Sequence, residues 1–424
     1  MQSQTNNRRT LEEKLITGSL VMTYPIYAIG GLYITGSLLA YAVLALVLLR
    51  AFMEGKNPFS SVPAAVWLWV VGMLVMLISL WVAHGQWSLG MTQTIKSSVG
   101  WAKGWALMAL FPLIGAIINI QPEKFIRCIC VIAKHTAIFA MITFALYIVK
   151  VPGHLFTSPL WILGGAGDTF FNVSLYGLNP ETGAGRWQFF APWAPAAGFL
   201  SCIFVIFCLL EKDPHWRNWG VFGCVVMALL CQSRAGWAIF IVIVPLFLLG
   251  RFSFNPWVLL SIGLFVPILL LLGEPIWEFG MDGYQQVKEA RPASTRVRAA
   301  LENIAYQRWQ SEAPIWGHGV VESGPKLVEF MPIGSHHSWY GLLFVKGIVG
   351  LLALAIPLAV SVLILLINQH QNDYLRACLC MLLVIVCYSF FENLEILVYL
   401  YWPALFWLGL SFRNLKAIKN VKTQ

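Results

Sequence analysis

Charged side chains are scarce in this sequence. Asp, Glu, Lys and Arg together make up 11% of its 424 residues, whereas hydrophobic residues make up 58% and the mean hydropathy is +0.72. Soluble domains carry roughly a quarter charged residues. A soluble chain this apolar would have no surface compatible with water, whereas a lipid bilayer tolerates apolar helix faces. The composition therefore indicates an all-α polytopic membrane protein.

Several motifs of nucleotide-dependent and hydrolytic enzymes are absent. The sequence has no P-loop, no Gly-x-Ser-x-Gly, no dinucleotide fingerprint and no Asp-x-Asp for a metal-bound nucleotide sugar. Acidic residues are also rare inside the apolar stretches, which weakens an ion-coupled transporter as an explanation. Any chemistry must then be powered by an already activated substrate, and we expect neither a cofactor nor a metal.

The cysteines and the net charge carry no strong functional signal. All nine cysteines lie in or beside apolar stretches, so they imply no disulfide framework. We interpret Cys128/Cys130 and Cys378/Cys380 as small hydrophobic residues. The formal net charge is +9. In a polytopic protein such an excess usually marks cytoplasmic loops, and we expect no nucleic-acid partner.

Apolar stretches of membrane-spanning length recur along the chain. Since a helix needs about 20 residues to cross a bilayer, the sequence predicts about twelve transmembrane helices. They are predicted at 15–33, 35–52, 66–84, 99–120, 125–150, 190–210, 219–231, 236–250, 256–272, 339–367, 374–391 and 394–412. The first is interpreted as a retained helix and not as a cleaved signal peptide. The stretch at 339–367 is long enough to tilt or to protrude.

Lys and Arg indicate the direction in which the chain crosses the bilayer. Short cytoplasmic connections carry an excess of these residues. With a cytoplasmic N-terminus, the inner segments contain Arg8, Arg9, Lys14, Arg50, Lys56, Lys124, Arg127, Lys212, Arg217, Arg251, Arg376, Arg413, Lys416, Lys419 and Lys422. The pattern predicts an even number of helices with both termini in the cytoplasm.

Two long connections fall on the outer side, at 151–189 and at 273–338. The second is rich in Lys and Arg, which long loops permit. Loops of this length are usually functional or disordered, and the aromatic content of this one argues for order. The predicted organisation is therefore helices one to nine with a moderate periplasmic loop (1–272), a large periplasmic loop (273–338), and the last three helices with a cytoplasmic tail (339–424).

The large loop contains a predicted helix at 294–312. Ser294 or Thr295 is expected to cap its N-terminus. An apolar stripe at helical spacing follows, formed by Val297, Leu301, Ile304 and Ala305. The helix is expected to end before Pro314, Gly317 and Gly319.

Two arginines outside this helix are candidate functional residues. Arg234 lies in a very tight hairpin between two apolar stretches. An arginine at membrane depth is a functional candidate by default, but near a helix end it also snorkels to the interface without any function. Arg186, at the end of the first outer loop, has equally good functional and structural explanations.

Arg296 and Arg298 stand near the predicted start of the loop helix. A cation in the first helical turn opposes the helix dipole, so this placement favours a bound anion held by the helix N-terminus and a guanidinium together. The two residues are about 200° apart around a helix, so at most one faces a given site. The alternative is a solvated face on which Arg298 pairs with Glu302 and Arg308 with Glu312. We favour that alternative for Arg308.

His336 and His337 precede the long helix at 339–367. Adjacent side chains cannot easily share one metal ion, and no third ligand has the right spacing. Neutral imidazole is available near pH 7, which favours a general base, with a pair of interfacial polar residues as the alternative. Glu392 and Glu395, at the last outer hairpin, are placed to pair with the arginines or to tune a histidine.

The order of these features resembles a known family. A tight Ser-Arg hairpin is followed by a large outer loop, an Arg-headed helix ending in Pro314-x-x-Gly317-x-Gly319, and a His followed by Gly347-x-x-Gly350. This order is similar to that of the O-antigen ligase and polymerase superfamily of bacterial envelope glycosyltransferases. Each motif is short and degenerate, and their joint order carries the resemblance. It implies a GT-C-like membrane fold.

The resemblance also implies roles for the arginines. It covers the chain from about Arg186 onward to the Gly-x-x-Gly. Arg234 matches the hairpin arginine, which is expected to hold the diphosphate of the donor. Arg296 or Arg298 matches the loop-helix arginine, and spacing slightly favours Arg298. We add Arg186 to the predicted donor-binding residues and Glu392 as a supporting residue.

The identity of the catalytic histidine stays open at this point. The family histidine is usually followed by Asn, Ser or Gln, which favours His337 because Ser338 follows it. The family distance to the Gly-x-x-Gly favours His336. The sequence departs from the pattern by one residue, so both are candidates.

The resemblance implies transfer of O-antigen glycan from undecaprenyl diphosphate to a hydroxyl of the lipid A–core oligosaccharide. The reaction is expected to be metal-independent and inverting, and to be performed by a monomer, surrounded by membrane lipid, at the periplasmic face of the bacterial inner membrane. One large loop before the His helix favours a ligase over a polymerase that extends glycan on its carrier. A polyprenyl-glycan or solute transporter is a third hypothesis, but the inverted repeats and midplane charges that it predicts are not seen.

Overall fold

The computed structural model describes residues 10–165, 167–179, 182–250 and 292–422, and within the last range it describes side chains for residues 296–417. The described chain contains fourteen α-helices, which are α1 (Leu11–Val21), α2 (Thr23–Ala28), α3 (Leu32–Glu54), α4 (Ala64–Gln86), α5 (Met91–Lys103), α6 (Trp105–Ile117), α7 (Pro122–Ile148), α8 (Ala194–Leu210), α9 (Pro214–Leu230), α10 (Arg234–Leu249), α11 (Pro292–Glu312), α12 (Ser338–Asn368), α13 (Asp373–Tyr388) and α14 (Leu394–Lys422). The ninth predicted membrane helix, at 256–272, and the beginning of the large loop lie outside the described residues.

Several helices are long and apolar enough to cross a membrane. In the described part of the chain there are six such stretches: Leu32–Glu54, Ala64–Gln86, Met91–Ile117, Pro122–Ile148, Ser338–Gln371 and Leu394–Ala417. Shorter apolar helices are found at Ala194–Leu210 and Arg234–Leu249. The protein is therefore a polytopic helical membrane protein, as its composition predicted. The count of about twelve crossings stays a prediction.

The first predicted helix, at 15–33, is two helices in the structure. Helix α1 begins earlier, at Leu11, because the Thr10 hydroxyl accepts a hydrogen bond from the Glu13 amide at 3.2 Å and caps the helix. The second helix ends at Ala28, and Tyr33 belongs to α3. Hydropathy alone joined these segments because all of them are apolar.

The fourth predicted helix, at 99–120, begins earlier than expected and is broken at Gly104. Helix α5 has no buried residues and a polar face, so hydropathy did not include its first part, residues 91–98. At the break, a Cβ on Gly104 would lie only 2.5 Å from Cγ of Glu395. The Glu395 side chain therefore packs against the α5–α6 junction.

Helix α12 is also interrupted, at Gly347, where φ is +63° and ψ is −164°. Residues 313–319, here called the clasp, bind the backbone groups that the interruption frees. The clasp amides of His318 and Gly319 donate to the carbonyls of Phe344 and Val345, each at 2.9 Å, and the Ile348 amide donates to the Pro314 carbonyl at 3.0 Å. Non-helical backbone at membrane depth is tolerated only where protein or water satisfies its polar groups. The clasp thereby fixes the large loop to α12.

The clasp and the break need glycine at their contact. A Cβ on Gly347 would lie 2.2 Å from the Ile315 carbonyl oxygen, and a Cβ on Gly317 would lie 2.5 Å from the Lys346 amide nitrogen. Both glycines have positive φ, at +63° and +72°, which costs other residues roughly 1–2 kcal/mol. Positive φ and close backbone approach therefore both require glycine here.

Helix α14 is the central helix of the bundle. Its aromatic residues stack on neighbouring helices: Trp402 on Phe111 of α6, with ring centroids 5.0 Å apart, and Phe406 on Phe125 of α7, at 5.1 Å. Buried aromatic pairs of this kind add specificity to apolar burial. Because α14 follows the connection at 389–393, this packing also fixes the position of Glu392.

The connections with predicted cytoplasmic positive charge meet at one end of the bundle, here called the ionic end. Arg50 of α3 binds Glu12 of α1 at 2.9 Å, and the Lys416 ammonium donates to the Ser61 carbonyl at 3.2 Å. Further pairs at this end join Lys124 to Glu13, Arg127 to Glu211 and Lys212 to Glu123. The grouping agrees with the charge map, and the assignment of this end to the cytoplasm stays a prediction.

The opposite end, here called the loop end, carries the connections at 149–193, 231–233, 313–337 and 389–393. Two small antiparallel pairs order the first of these: β1 (His154–Thr157) with β2 (Asn172–Ser174), and β3 (Gly177–Leu178) with β4 (Gly185–Arg186). The Tyr27 hydroxyl of α2 donates to the Ser174 carbonyl and accepts from the Ser174 amide, both at 2.8 Å. The predicted outer loop at 151–189 is therefore attached to the helices.

Candidate active site

The hairpin at 231–233 places Arg234 at the first position of α10. Ser233 caps this helix, since its hydroxyl accepts a hydrogen bond from the Gly236 amide at 3.1 Å. The hairpin approaches α8 closely: a Cβ on Gly198 would lie 2.8 Å from Cβ of Ser233 and 3.2 Å from the Tyr388 hydroxyl. The Arg234 side chain is exposed at this rigid corner.

Arg186 is bound to the same hairpin. Its Nε donates to the Cys231 carbonyl at 3.0 Å, and its Nη2 donates to the Gln232 carbonyl at 3.4 Å. In return, the Gln232 amide group donates to the Gly185 carbonyl at 3.0 Å. These bonds hold β4 against the turn that carries Arg234, so the structure brings two of the predicted arginines to one corner.

Glu392 lies in the connection from α13 to α14, within electrostatic range of Arg298 and Arg186. It is 2% exposed, and the Trp193 indole donates to its Oε2 at 3.0 Å. Burial raises the pKa of Glu392 to about 7, against the opposing effects of Arg298, the Trp193 hydrogen bond and Arg186. Two guanidinium groups therefore act on one buried carboxyl group.

Helix α11 positions Arg298 towards this carboxyl. The predicted apolar stripe is confirmed, since Val297, Leu301 and Ala305 are buried. Leu301 packs with Val328, and Ala305 with Ile333 and Phe344. With the stripe facing inward, Arg298 is half-buried and acts electrostatically on His336 and Glu392, whereas Arg296 is exposed.

The predicted start of this helix was wrong. Helix α11 begins at Pro292, so neither Ser294 nor Thr295 is the N-cap, and Arg296 and Arg298 lie beyond the first turn. Proline is favoured at the first position of a helix because its missing N–H is not needed there. The helix dipole therefore favours neither arginine as an anion-binding residue. Arg298 would bind an anion through its guanidinium group alone.

His336 has a left-handed backbone conformation, with φ +66°. Few residues other than glycine adopt it, and such strain recurs at functional sites. Burial, together with the positive charge of Arg298, lowers the pKa of His336 to about 4. Its ring makes no hydrogen bond with any residue that the structure describes. The imidazole is therefore neutral at pH 7 and keeps a lone pair for a substrate.

His337 has a structural partner instead. It is the N-cap of α12, and its Nδ1 accepts a hydrogen bond from the Tyr340 amide at 3.4 Å. Its ring lies 4.5 Å from the Tyr340 ring and 5.7 Å from the Phe390 ring. Burial also lowers the pKa of His337 to about 4. With Nδ1 accepting, the proton of the neutral ring resides on Nε2.

Ser338 joins the turn that contains His336 and His337, here called the histidine turn, to the connection that carries Glu392. Its hydroxyl donates to the Glu392 carbonyl at 2.7 Å and accepts from the Leu394 amide at 3.0 Å. Its own amide donates to the Ser389 carbonyl at 2.9 Å. Sequence reasoning used Ser338 only to choose between the histidines and missed Trp193 and Ser389 entirely, since these contacts join distant parts of the chain.

Arg308 has the structural role that the sequence favoured. It pairs with Glu312 at 2.8 Å, and also with Glu322 at 2.6 Å. The pair with Arg308, followed by the hydrogen bond with His318, lowers the pKa of Glu312 to about 2. His318 in turn stacks on Phe344, with ring centroids 4.3 Å apart. These contacts join the end of α11 to the clasp and to α12.

Comparison with known proteins identifies the segment that contains most of this site. Residues 219–355 match the family model described as O-antigen ligase. This segment of the chain is therefore similar to the O-antigen ligase family. No curated protein matches the chain.

The segment matched by the O-antigen ligase family runs from α9 into α12. It contains Arg234, Arg296, Arg298, His336 and His337, whereas Arg186 and Glu392 lie outside it. The Pro-x-x-Gly-x-Gly and Gly-x-x-Gly motifs fall on the clasp and on the break in α12. In this O-antigen ligase domain, the glycine motifs therefore serve the architecture beside the site.

Proposed function

We propose that this chain is a GT-C-like membrane glycosyltransferase that transfers a glycan from undecaprenyl diphosphate to a hydroxyl of the lipid A–core oligosaccharide. The single observation that best supports this is the juxtaposition of Arg298, a partnered Arg186 and an uncommitted neutral His336 around buried Glu392. A donor with a diphosphate leaving group needs cationic stabilisation and a base, and it needs no nucleotide. We place the reaction at the periplasmic face of the inner membrane.

The arginines act on the leaving group. In the proposed reaction, the acceptor oxygen attacks the anomeric carbon while the bond from that carbon to the phosphate oxygen breaks. Negative charge grows on the diphosphate as it leaves. Preorganised donors aimed at such charge lower the barrier, and loss of one typically costs about 3–4 kcal/mol. Arg298 and Arg234 are proposed to bind the diphosphate, while Arg186 holds the Arg234 hairpin in place.

His336 is proposed to accept the proton of the attacking hydroxyl. Its low pKa of about 4 keeps it neutral before the donor binds. A diphosphate next to Arg298 offsets the positive charge that opposes protonation, so donor binding raises the basicity of the imidazole. A base is most effective when its pKa is near the working pH. The proton moves to the imidazole as the glycosidic bond forms, and direct displacement inverts the anomeric centre.

His337 is the less suitable base of the two. Its Nδ1 already accepts a hydrogen bond from the Tyr340 amide, and its ring packs against Tyr340 and Phe390. We therefore propose His336 as the general base, whereas His337 caps the start of α12.

A null mutant distinguishes the ligase from the two other hypotheses. In a strain that makes O-antigen, loss of this chain should leave the lipid A–core without any O-antigen cap. A single capped repeat would instead identify a polymerase, and this would overturn the proposed acceptor. Glycan or solute uptake by vesicles that contain the chain, with no glycan transfer, would identify a transporter.

A further inference from the structure

An open cavity of about 570 Å³ lies at the loop end, between the last turn of α7 and the first outer loop. Its size falls within the range of small-molecule sites in proteins, about 300–1,000 Å³. The side chains that matter most for its chemistry are Tyr147, His154, Asn172, Tyr176 and Gln188. None of these residues belongs to the diphosphate site described above.

The wall of the cavity is aromatic and preformed. Tyr147 and Tyr176 are in contact edge to face, with ring centroids 5.0 Å apart. The Tyr147 hydroxyl accepts a hydrogen bond from the Gly185 amide at 3.1 Å, and the Tyr176 hydroxyl donates to the Val151 carbonyl. Tyr176 is buried, at 6% exposure, and supports the half-buried Tyr147 ring, which offers a rigid surface for the C–H face of a ligand.

The polar groups of the cavity match hydroxyl groups better than ions. Side-chain amides both donate and accept hydrogen bonds, as vicinal sugar hydroxyls do. Among the described residues, no Asp, Glu or Arg lines the cavity, and Lys150 supplies its one ammonium group. This combination of aromatic faces and amides fits a neutral or weakly anionic oligosaccharide.

Two of the amide groups have hydrogen-bonding capacity to spare. Asn172 accepts from the Thr157 hydroxyl at 2.6 Å, and the structure records no acceptor for its amide protons among the described residues. The Gln188 amide likewise makes no hydrogen bond with any described residue. Its Oε1 lies beside Gly177, 3.5 Å from where a Cβ would stand. Both amides are therefore available to a ligand.

The cavity shares a hairpin with the diphosphate site. Gly177, which lines the cavity, pairs with Arg186 in the β3–β4 ladder. Arg186 in turn donates to the Cys231 carbonyl of the Arg234 hairpin at 3.0 Å. A sugar chain bound near Arg186 and Arg234 would therefore have to extend only across the β3–β4 pair to reach the cavity.

We propose that this cavity is an oligosaccharide subsite, in which Asn172 and Gln188 bind sugar hydroxyls and the Tyr147 ring, supported by Tyr176, contacts the sugar face. The proposal rests on the proposed glycan transfer for its ligand. Two sources offer the same chemistry, namely the glycan of the lipid-linked donor and the core oligosaccharide of the acceptor.

The first test is kinetic and uses the full-length protein with purified undecaprenyl-diphosphate-linked glycan and lipid A–core. Gln188→Met keeps the shape of the side chain and removes its hydrogen bonds. Because one neutral hydrogen bond contributes roughly 1 kcal/mol, we expect KM for one substrate to rise about 3- to 10-fold, with the effect on KM rather than on kcat. Asn172→Leu should act on the same substrate. Gln86→Met, at an exposed glutamine of α4 that does not line the cavity, is the matched control.

The two sources give different outcomes. A rise in the donor KM alone assigns the cavity to the transferred glycan, and a rise in the acceptor KM alone assigns it to the core. Wild-type KM values for both substrates in the Gln188 and Asn172 variants overturn the proposal. Gln188→Asn, which keeps an amide, should recover part of the affinity, whereas a merely misfolded loop would not respond to this change.

A binding measurement separates this inference from the proposed function. Delipidated O-antigen and delipidated core oligosaccharide are each added to the detergent-solubilised protein, and saturation-transfer NMR reports contact. We expect a signal from one of them that weakens in Gln188→Met and persists in Gln86→Met. This signal without any transfer activity would overturn the proposed function and keep the subsite. Glycan transfer with no NMR signal from either sugar, and with no change in KM in the variants, would overturn the subsite and keep the proposed function.

Discussion

Arg296 and Arg298 differ in exposure although they lie two residues apart on α11. The apolar stripe of the helix turns Arg298 towards His336 and Glu392 and leaves Arg296 in an exposed position. We predict that Arg298→Ala lowers kcat for glycan transfer by about 100-fold or more, the usual effect of removing one preorganised donor. Arg296→Ala is the matched control and should stay within about threefold. Equal losses in the two variants would contradict the assignment.

Glu392 gives the site a pH dependence. Because burial raises the pKa of Glu392 to about 7, its carboxyl group ionises as the pH rises through about 7. The ionised carboxylate competes with the donor diphosphate for Arg298. We therefore expect the donor KM to increase from pH 6 to pH 8 in the wild type. In Glu392→Gln, which keeps an acceptor for the Trp193 indole, the donor KM should vary much less. The same pH profile in both proteins would show that Glu392 does not compete with the donor.

At this scale the sequence predicted which residues were candidates and left the choice among them open. The stripe of Val297, Leu301 and Ala305 follows from periodicity, because burial of one helix face is a local property. The choice between His336 and His337 depends on the Tyr340 amide and on the charge of Arg298, both of which require the folded structure. Trp193 and Ser389 lie too far away in sequence for any motif to include them.

The interrupted helix α12 is the element on which the site depends. The clasp fills the interruption at Gly347, and the same segment continues α11 and precedes the histidine turn. Displacing the clasp would therefore move Arg298 relative to His336, even though neither residue touches the break.

We predict that Gly347→Ala disrupts this junction. A Cβ at this position would meet the Ile315 carbonyl oxygen at 2.2 Å, and φ is +63°. We expect a destabilisation of about 2 kcal/mol or more, together with a loss of transfer activity. Thermal unfolding in detergent and the transfer rate are the measurements. Gly100→Ala in α5, where a Cβ has nothing within 4 Å, is the control and should be neutral. An active Gly347→Ala protein with wild-type stability would refute the role of the clasp.

Hydropathy predicted the existence of α12 and its length but could not show the interruption. Apart from Lys346, the residues around Gly347 are apolar or small, so hydropathy predicts one continuous membrane span. The break becomes favourable only when the backbone of residues 313–319 replaces the missing helical hydrogen bonds. For the same reason, Gly104 and Glu395 were not recognised as a break in the fourth predicted helix.

For the whole molecule, the charge pattern and the structure sort the connections into the same two groups. The ionic end gathers the segments with the positive excess, and the loop end gathers Arg186, Arg234, Arg298 and His336. Short positively charged connections face the cytoplasm. The site is therefore predicted to face the periplasm.

Labelling with a membrane-impermeant maleimide tests this orientation. Thr182→Cys is exposed in the β3–β4 turn at the loop end, and Lys416→Cys is exposed at the ionic end. In cells with a permeabilised outer membrane, Thr182→Cys should react, and Lys416→Cys should react only after the inner membrane is opened. The unsubstituted protein reports any background from its native cysteines. The opposite labelling pattern would reverse the predicted topology.

The most direct test of the central claim is glycan transfer by the purified protein in vesicles. The vesicles contain undecaprenyl-diphosphate-linked glycan and lipid A–core, and the assay is run with and without EDTA. We predict that the wild type forms glycan-capped lipid A–core and releases undecaprenyl diphosphate in both conditions. His336→Ala should lose about 100-fold or more of this rate, as expected for a general base, whereas His337→Asn, which keeps a helix-capping side chain, should retain most of it. No capped product from the wild type, or a wild-type rate in His336→Ala, would contradict the account.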